Sequence, residues 1–407
     1  MKMKQRTVLI TGATGFLGSY ITRGLFEAGF HLKLLVRKTA QSQPKERFFE
    51  ICTPFAIAES IFNSSRNPVE IIEGDISKSY FGLNTADYLK LAETVDEVFH
   101  CAAATKFDNN MSDIHTQTNI VGTDLIALFC MTRKLKRLHH ISTAYVAGKR
   151  RDTVLENELE RGQLFNNNYE RSKYEAERNL SLFVKRHQIP CTIYRPSIIT
   201  GDATTGYTKN YDNIYVFGKG LSRLKNHKIQ NIYRDKRLIN ISRPTSLRIP
   251  GDKYGTINLI PVDYAARSII AISRRTESIN NTFHIVNPSP PTLGELAEWM
   301  KLETGIHYIK IVPMREFETL PHTLQERLFL QGTEAFQFYM FGEPYFDSTN
   351  TKHLLRGTGI ECPLITEELI HRFIQYGVDT HWGKKNTTSG KEARFLKIQE
   401  PFLSVRD

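Results

Sequence analysis

The stretch Thr7-Val8-Leu9-Ile10-Thr11-Gly12-Ala13-Thr14-Gly15-Phe16-Leu17-Gly18 decides the fold. A short apolar run leads directly into three glycines with GxxGxxG spacing, and apolar residues then recur with helical spacing as far as Leu25. Gly12 permits a tight turn, Gly15 lets the backbone approach a pyrophosphate, and Gly18 lets the helix lie close to the strand. The first N–H groups of the helix are free to bind phosphate. The stretch therefore predicts a strand–turn–helix unit that binds a dinucleotide through Gly12, Thr14, Gly15, Phe16, Leu17 and Gly18.

Further apolar runs follow along the first 200 residues. They are continuous rather than alternating, as expected for parallel strands that are covered on both faces. Helical patterns separate them, including one over residues 170–187. This alternation predicts an α/β fold with a Rossmann-type, doubly wound parallel sheet. The predicted strands are Thr7–Ile10, Leu32–Val36, Val69–Ile72, Glu97–Cys101, Arg137–Ser142 and Cys191–Arg195.

The pattern changes after Arg195. Residues 200–257 are rich in Gly, Asn, Tyr and basic residues and show little periodicity. Regular patterns return with the strand Ile257–Ile260, the helix Val262–Ser273 and the strand Thr282–Val286. We therefore expect a smaller, discontinuous C-terminal substrate domain beside the nucleotide domain. The expected boundaries are 1–199 and 257–287 for the NADP-binding domain, 200–256 and 288–382 for the substrate domain, and 383–407 for a polar basic tail.

The composition narrows the class of protein. The chain has 407 residues, of which 40% are apolar and 24% charged, as in ordinary globular proteins. Its 54 Lys and Arg against 43 Asp and Glu give a formal net charge of +11, which favours an anionic partner. Five cysteines without a CxxC pair indicate a reducing compartment. With no signal-peptide pattern, no membrane-length apolar run and no metal-ligand or nucleic-acid motif, we expect a cytoplasmic protein without a transmembrane segment, a metal or a nucleic-acid partner.

Residues after the second and third strands indicate which dinucleotide binds. Arg37 and Lys38 stand where an NAD site usually has an acidic residue, and a cationic pair suits the 2′-phosphate of NADPH. The alternative for this pair is a solvated charge at a strand end. Asp75 is placed to accept from the adenine amino group, with Ile76 packing on the ring. Ala102, Ala103 and Ala104, after the fourth strand, leave room for the flat body of the cofactor.

Tyr169 and Lys173 form the candidate catalytic pair. They are four residues apart and share one helix face. A lysine cation close to a phenol lowers the pKa of that phenol and can also bond the nicotinamide ribose. The tyrosine then donates a proton to a carbonyl that receives hydride.

Other candidates surround this pair. Thr143, with Ser142 as the second choice, supplies a hydroxyl to hold the substrate oxygen. Asn119 is placed to order a water behind Lys173, or else it is a polar residue that bends its helix. Pro196, with the backbone of Ser197 and Ile198, flanks the nicotinamide ring.

These ordered motifs resemble the extended short-chain dehydrogenase/reductase superfamily over residues 7–290. Within it, the chain is most similar to the thioester-reductase and fatty-acyl reductase branch. The similar segments are Thr11–Gly18, His100–Ala104, Ser142–Val146, Arg195–Asp202 and Pro261–Tyr264. In that branch the position of Thr143 carries the catalytic hydroxyl, which favours Thr143 over Ser142. Sugar-nucleotide epimerases share the first motifs but usually carry an acidic residue where Arg37 stands.

The resemblance implies an NADPH-dependent reductase that converts an acyl thioester to an aldehyde, or to an alcohol if a second hydride follows. No adenylation or carrier segment precedes the glycine loop, so we expect a substrate already activated on coenzyme A or an acyl carrier protein. Residues 219–253 hold ten Lys and Arg against two Asp, which predicts a basic mouth for such a carrier. Two alternatives stay open: another NADP-dependent extended reductase or epimerase acting on a sugar nucleotide or small ketone, and a cofactor-sensing protein without turnover.

Overall fold

A parallel sheet of seven strands forms the centre of the protein. The computed structural model describes residues 5–52, 68–107, 112–132, 135–234, 247–304 and 308–384. The strands of the sheet are β1 (Thr7–Thr11), β2 (His31–Val36), β3 (Val69–Glu73), β4 (Glu97–His100), β5 (Arg137–Ile141), β7 (Cys191–Pro196) and β11 (Thr282–Ile285). Their order across the sheet is β11-β7-β5-β4-β1-β2-β3, and every neighbouring pair is parallel.

Two apolar layers cover the two faces of this sheet. In β1, Val8 and Ile10 point into one buried cluster and Leu9 points into another. Both clusters exclude water, so successive residues of the strand are apolar whichever face they occupy. This packing explains the continuous apolar runs of the sequence.

Helices fill these two layers and the region beyond them. Two segments have other helical geometry. Residues Thr116–Val121 are π-helical, and residues Glu334–Phe341 form a 3₁₀-helix. The α-helices are α1 (Phe16–Glu27), α2 (Pro44–Cys52), α3 (Thr85–Thr94), α4 (Ser112–His115), α5 (Gly122–Met131), α6 (Asn168–His187), α7 (Ile214–Arg234), α8 (Val262–Ser273), α9 (Leu293–Thr304), α10 (Met314–Glu318), α11 (Leu324–Thr333), α12 (Thr349–Leu355) and α13 (Glu367–Asp379).

The region beyond the central sheet is called the C-terminal part, because most of its residues follow residue 197. Its described residues form three short parallel strand pairs. Residues of these pairs belong to a third large apolar cluster, which includes Leu221, Phe329 and Phe373. The pairs are β6 (Thr153–Val154) with β13 (Tyr345–Phe346), β8 (Ile198–Thr200) with β10 (Leu259–Pro261), and β9 (Leu247–Pro250) with β12 (Ile309–Val312).

The buried carboxylate of Glu156 joins segments that are distant in sequence. It accepts hydrogen bonds from the backbone N–H of His284 at 2.9 Å and of Asn350 at 2.6 Å. The hydroxyl of Thr351 donates a further bond at 2.9 Å. One side chain therefore connects the loop after β6 to β11 and to the start of α12.

The predicted fold class is confirmed, and the predicted strands differ from the observed ones by one or two residues at their ends. The strand predicted at Ile257–Ile260 is observed as β10, which pairs with β8 rather than with the central sheet. The two-domain division and its boundaries stay a prediction, and residues 385–407 of the predicted tail lie outside the described part of the chain. Within that described part, no helix is both long and apolar enough to cross a bilayer.

Candidate active site

The glycine loop lies between β1 and β4 at the carboxyl edge of the sheet. Gly12 adopts a φ of 74°, and a Cβ there would lie 2.5 Å from the backbone N of Ala102. A Cβ on Gly18 would lie 2.1 Å from the carbonyl oxygen of Gly12. Neither position accepts a side chain, because the loop packs directly against neighbouring backbone. The loop thus lies at the crevice between β1 and β4, where open α/β sheets bind their ligands.

Helix α1 begins directly behind this loop and favours an anion at its start. Gly15 is its N-cap, and the first turn carries no acidic residue. The partial positive charge of the helix start therefore meets no carboxylate of its own first turn.

Cationic side chains cluster beside the loop. Arg37 is exposed, and its Nη1 lies 4.0 Å from a carboxylate oxygen of Asp75. The guanidinium of Arg47, on α2, donates to the carbonyl oxygen of Arg37 at 2.5 Å and to the hydroxyl of Thr14 at 3.1 Å. The sequence predicted Arg37 but not Arg47. Arg47 lies ten residues further along the chain, in a separate helix whose sequence carries no nucleotide motif.

Lys209 approaches the same loop from the C-terminal part of the chain. Its Nζ donates to the carbonyl oxygen of Thr14 at 2.5 Å. Burial lowers the pKa of Lys209, and the nearby charge of Arg47 lowers it further. The aperiodic stretch after residue 200 gave no signal for this contact, which depends on the tertiary fold alone.

The candidate catalytic side chains meet in a cleft of about 1030 Å³. Thr143, Tyr169 and Lys173 line this cleft together with residues of the glycine loop. The Thr143 hydroxyl is within hydrogen-bonding reach of the Tyr169 phenol and donates to the carbonyl oxygen of Pro196 at 3.3 Å. A substrate carbonyl at this point would meet two hydroxyl groups at once.

Lys173 is almost completely buried behind the tyrosine. Its Nζ donates to the carbonyl oxygen of Ile141 at 2.7 Å. Burial lowers the pKa of Lys173 to about 8, against the opposing influence of Glu177 and Cys101.

The pKa of Tyr169 shifts in the opposite direction to the lowering expected from this lysine. Burial instead raises the pKa of Tyr169 to about 12, and only the hydrogen bond with Thr143 opposes that rise strongly. The ammonium of Lys173 is directed to a strand carbonyl, so it does not offset the burial of the phenol. Tyr169 is thus a protonated donor at neutral pH.

Ser142, the second choice for the catalytic hydroxyl, is committed elsewhere. It donates to the carboxylate of Glu177 at 2.5 Å. The same carboxylate is paired with the Arg195 guanidinium at 2.6 Å, and both partners are buried. Ser142 also lines the cleft, but its hydroxyl is bound to Glu177, whereas the hydroxyl of Thr143 is within hydrogen-bonding reach of Tyr169.

Asn119 lies in the π-helical segment and holds two backbones together. Its Oδ1 accepts from the N–H of Ala104 at 2.7 Å, and its Nδ2 donates to the carbonyl oxygen of Ala104 at 3.0 Å and to Ser172 at 2.8 Å. Both amide hydrogens are therefore used within the protein. The structure gives Asn119 a positioning contact between the loop after β4 and α6, and its expected role at a water behind Lys173 stays a prediction.

The structure brings most predicted site residues into the cleft. Besides the three candidate catalytic side chains, these are Gly12, Gly15, Phe16, Leu17, Gly18, Ala103, Pro196, Ser197 and Ile198. The other predicted site residues are not among the residues that line the cleft: Thr14, Arg37, Lys38, Asp75, Ile76, Ala102, Ala104 and Asn119.

Ile76 lies mostly inside the protein. Its side chain is buried in the apolar layer, where it packs against Gly122 of α5. Only 7% of the residue stays exposed, so most of its surface packs within the protein, and its contact with an adenine ring stays a prediction.

The sequence also gave no indication of an aromatic cluster on the opposite cleft wall. The ring of Phe107 lies 5.5 Å from that of Tyr169 and 5.2 Å from that of Phe336. Tyr145 and Tyr339 extend the cluster at 5.3 Å. Phe336 and Tyr339 come from the 3₁₀-helix at Glu334–Phe341, so the cluster joins segments that lie far apart in sequence.

The predicted basic mouth at 219–253 is described only in part, since residues 235–246 lie outside the described chain. Arg248, counted in that stretch, is not a free surface cation. Its guanidinium pairs with the buried carboxylate of Glu326 at 2.8 Å. This ion pair removes one of the ten predicted charges from the mouth.

Comparison with known proteins assigns a family to this site. The model of a NAD-binding family described as Male sterility protein matches residues 10–269. A linear gramicidin synthase of Brevibacillus parabrevis is 25% identical over 388 residues, which cover 91% of this chain and 7% of that protein. Fatty acyl-CoA reductase 2 of Mus musculus is 32% identical over 146 residues, or 34% of this chain and 28% of that protein. The chain thus spans well under two thirds of the length of these relatives.

A solved structure shares the whole fold. The terminal R domain from the myxalamid PKS-NRPS biosynthetic pathway superimposes with a TM-score of 0.74 at 24% sequence identity, covering 94% of this chain and 92% of that one. This likeness extends over the C-terminal strand pairs as well as the central sheet.

Proposed function

The chain belongs to the NAD-binding family described as Male sterility protein, in the thioester-reductase and fatty-acyl reductase branch of the extended short-chain dehydrogenases/reductases, and from this we propose that it is an NADPH-dependent reductase of acyl thioesters. The observation that carries the proposal is the meeting of Thr143, Tyr169 and Lys173 in the cleft that the glycine loop also lines. A nucleotide site and a carbonyl-protonating site thereby share one cleft.

The residues present fit a nicotinamide dinucleotide. We propose that the glycine backbone and the start of α1 bind the pyrophosphate, and that the cations Arg37 and Arg47 bind a 2′-phosphate. At the other end, the hydroxyl of Ser197 lines the cleft and has no hydrogen-bond partner within the described chain. A buried hydroxyl of this kind suits a carboxamide group such as that of nicotinamide. When bound, the cofactor would supply hydride to the acyl carbonyl.

The side chains of this protein perform the remaining steps. The Tyr169 phenol and the Thr143 hydroxyl stabilise the charge that develops on the carbonyl oxygen. Since its pKa is raised to about 12, the phenol is protonated and can donate to that oxygen. Collapse of the tetrahedral adduct expels the thiol and leaves an aldehyde, and a second reduction in the same site would give the alcohol.

We further propose that the thiol is the phosphopantetheine of an acyl carrier protein or coenzyme A. The relatives support this substrate class: one is named as a gramicidin synthase, and another is named for its action on acyl-CoA. The net positive charge of the chain suits either carrier, since both are anionic.

The deciding experiment measures NADPH oxidation with a panel of acyl-CoA, acyl-carrier and nucleotide-sugar substrates. We expect turnover with thioesters and none with nucleotide sugars. Aldehyde and alcohol products are separated by trapping the aldehyde. Turnover confined to nucleotide sugars or small ketones would overturn the proposal in favour of another extended reductase or epimerase. NADPH binding without turnover of any substrate would instead indicate a cofactor-sensing protein.

A further inference from the structure

An apolar cavity of about 60 Å³ lies inside the C-terminal part of the protein, next to the cleft. Of the described residues that line it, only Asn213 and Tyr339 carry a polar nitrogen or oxygen in their side chains. The Tyr339 hydroxyl is already engaged, since it donates to Glu170 at 2.6 Å. A buried water needs two to four polar partners, so a cavity of this kind stays dry and takes apolar groups.

The cavity and the cleft share part of their walls. Ile198, Asn213 and Phe336 line both. Ile198 follows two residues after Pro196, whose carbonyl oxygen accepts from the Thr143 hydroxyl. The cavity therefore adjoins the cleft that holds Thr143 and Tyr169, and the three shared residues form the wall that the two spaces have in common.

The aromatic cluster connects this wall to the catalytic pair. The Phe107 ring contacts those of Tyr169 and Phe336, so its apolar surface extends from the phenol of the catalytic pair to the shared wall. An acyl group held by its carbonyl at Tyr169 and Thr143 would have the Phe107 ring beside it in the direction of the cavity. The described lining of the cavity holds no charged side chain to receive an ionised group.

We propose that this cavity binds the far end of the acyl group, so that the enzyme selects thioesters whose acyl group ends in an uncharged, apolar tail. The selection rests on the function proposed above and adds its substrate class. The space is equivalent to about two waters of liquid volume, so it holds about two methyl or methylene groups of the tail.

The first test uses neutral N-acetylcysteamine thioesters with straight acyl chains of increasing length. Each methylene that enters the cavity is expected to raise kcat/KM about fourfold. The rise should stop after about two such steps. Replacing the terminal methyl group of the best substrate by a carboxylate or an ammonium should lower kcat/KM at least about a hundredfold, because the charge would lose its hydration. A flat length profile, or equal use of the charged analogues, would overturn the proposal.

Two variants of α7 separate cavity shape from general loss of stability. Leu221 lines the cavity, whereas Leu224, on the same helix and in the same apolar cluster, does not. Leu221→Ala should move the optimum, which is the acyl chain length of highest kcat/KM, to a longer chain. Leu224→Ala should leave that length unchanged. Both variants should lower the melting temperature. Ala297→Leu fills the cavity and should move the optimum to a shorter chain. Equal length profiles for all four proteins would contradict the proposal.

A binding measurement keeps this test independent of turnover. Straight-chain amides of the same lengths carry the tail without a reactive thioester, and their stabilisation of the protein is read from its melting temperature. Length-dependent stabilisation that is lost in Ala297→Leu supports the cavity as a tail site. If this stabilisation is seen but no thioester is reduced, only the proposed function is refuted. No dependence on length in either assay would refute the cavity as a tail site.

Discussion

The central sheet and the C-terminal part of the molecule differ in how their strands are joined. In the sheet, seven parallel strands form one continuous array, and β1, β2 and β3 pair in the order in which they follow one another along the chain. The described residues of the C-terminal part instead form three separate pairs, none of which joins consecutive strands: β6 pairs with β13, β8 with β10 and β9 with β12.

The two regions also contribute different parts of the site. The glycine loop, Thr143 and Tyr169 belong to the sheet and its helices, whereas the cavity and Phe336 belong to the C-terminal part. We propose that the sheet and its helices perform the reaction, and that the separately paired C-terminal part selects the acyl group. Changes in the first region should affect every substrate equally.

The largest expected effect is on the reaction itself. Tyr169→Phe should lower kcat by about 10²–10⁴ for every acyl chain, because the proton donor is lost, while NADPH binding stays close to that of the parent protein. Steady-state kinetics measures kcat, and cofactor titration measures NADPH binding. Tyr174→Phe, on the same helix and hydrogen-bonded only at the surface to Glu160, is the matched control and should keep its activity. A chain-length-dependent loss in Tyr169→Phe would break the division between reaction and selection.

The second effect concerns the buried ion pair beneath the catalytic residues. Glu177→Gln leaves the Arg195 guanidinium buried without its carboxylate and should lower the free energy of unfolding by about 3–5 kcal/mol. Urea denaturation measures this loss. The control is Glu175→Gln, an exposed position on the same helix, which should change the stability by less than about 1 kcal/mol. Similar losses in the two variants would mean that the sheet region is not organised around this pair.

A smaller effect is expected at the adenosine end of the cofactor. Arg37→Asp should weaken the use of NADPH relative to NADH about ten- to a hundredfold, because one charge-assisted phosphate contact is lost. Arg47→Ala should act in the same direction, as its guanidinium lies at Thr14 and Arg37. Lys45→Ala, exposed on the same helix, is the control. Equal losses of activity with NADPH and NADH would contradict the assignment of Arg37 to the 2′-phosphate. The dependence of kcat/KM on acyl chain length should be the same in all three variants.

The smallest effect is a pH dependence with opposite signs for activity and stability. Because the pKa of Lys173 is lowered to about 8, kcat/KM should fall about tenfold per pH unit above that value as the ammonium loses its proton. Between about pH 8 and the ordinary lysine pKa, the unfolded chain binds more protons than the folded one, so the contribution of Lys173 to stability rises with pH. Lys173→Met should remove that rise. A stability that falls through this window in the parent protein but not in the variant would contradict the assigned direction.

The sequence predicted the sheet, the glycine loop and the Tyr169–Lys173 pair because each is encoded within a few neighbouring residues. Arg47 and Lys209 were missed because they reach the loop from elements whose local sequence has no nucleotide motif. Ile76 and Asn119 were identified by position, but their roles depend on what packs against them: Gly122 in one case, Ala104 and Ser172 in the other. The aromatic cluster could not be predicted, since its rings come from segments more than 200 residues apart.

The hydrogen bonds of Glu156 have a consequence for the order in which the enzyme is built during its synthesis. A growing chain that has reached residue 300 already contains the glycine loop, Tyr169 and Lys173, but Glu156 still lacks Asn350 and Thr351. The contacts that join the loop after β6 to the start of α12 can therefore form only after residues 350 and 351 have been synthesised, later than the glycine loop and the helix of Tyr169 and Lys173.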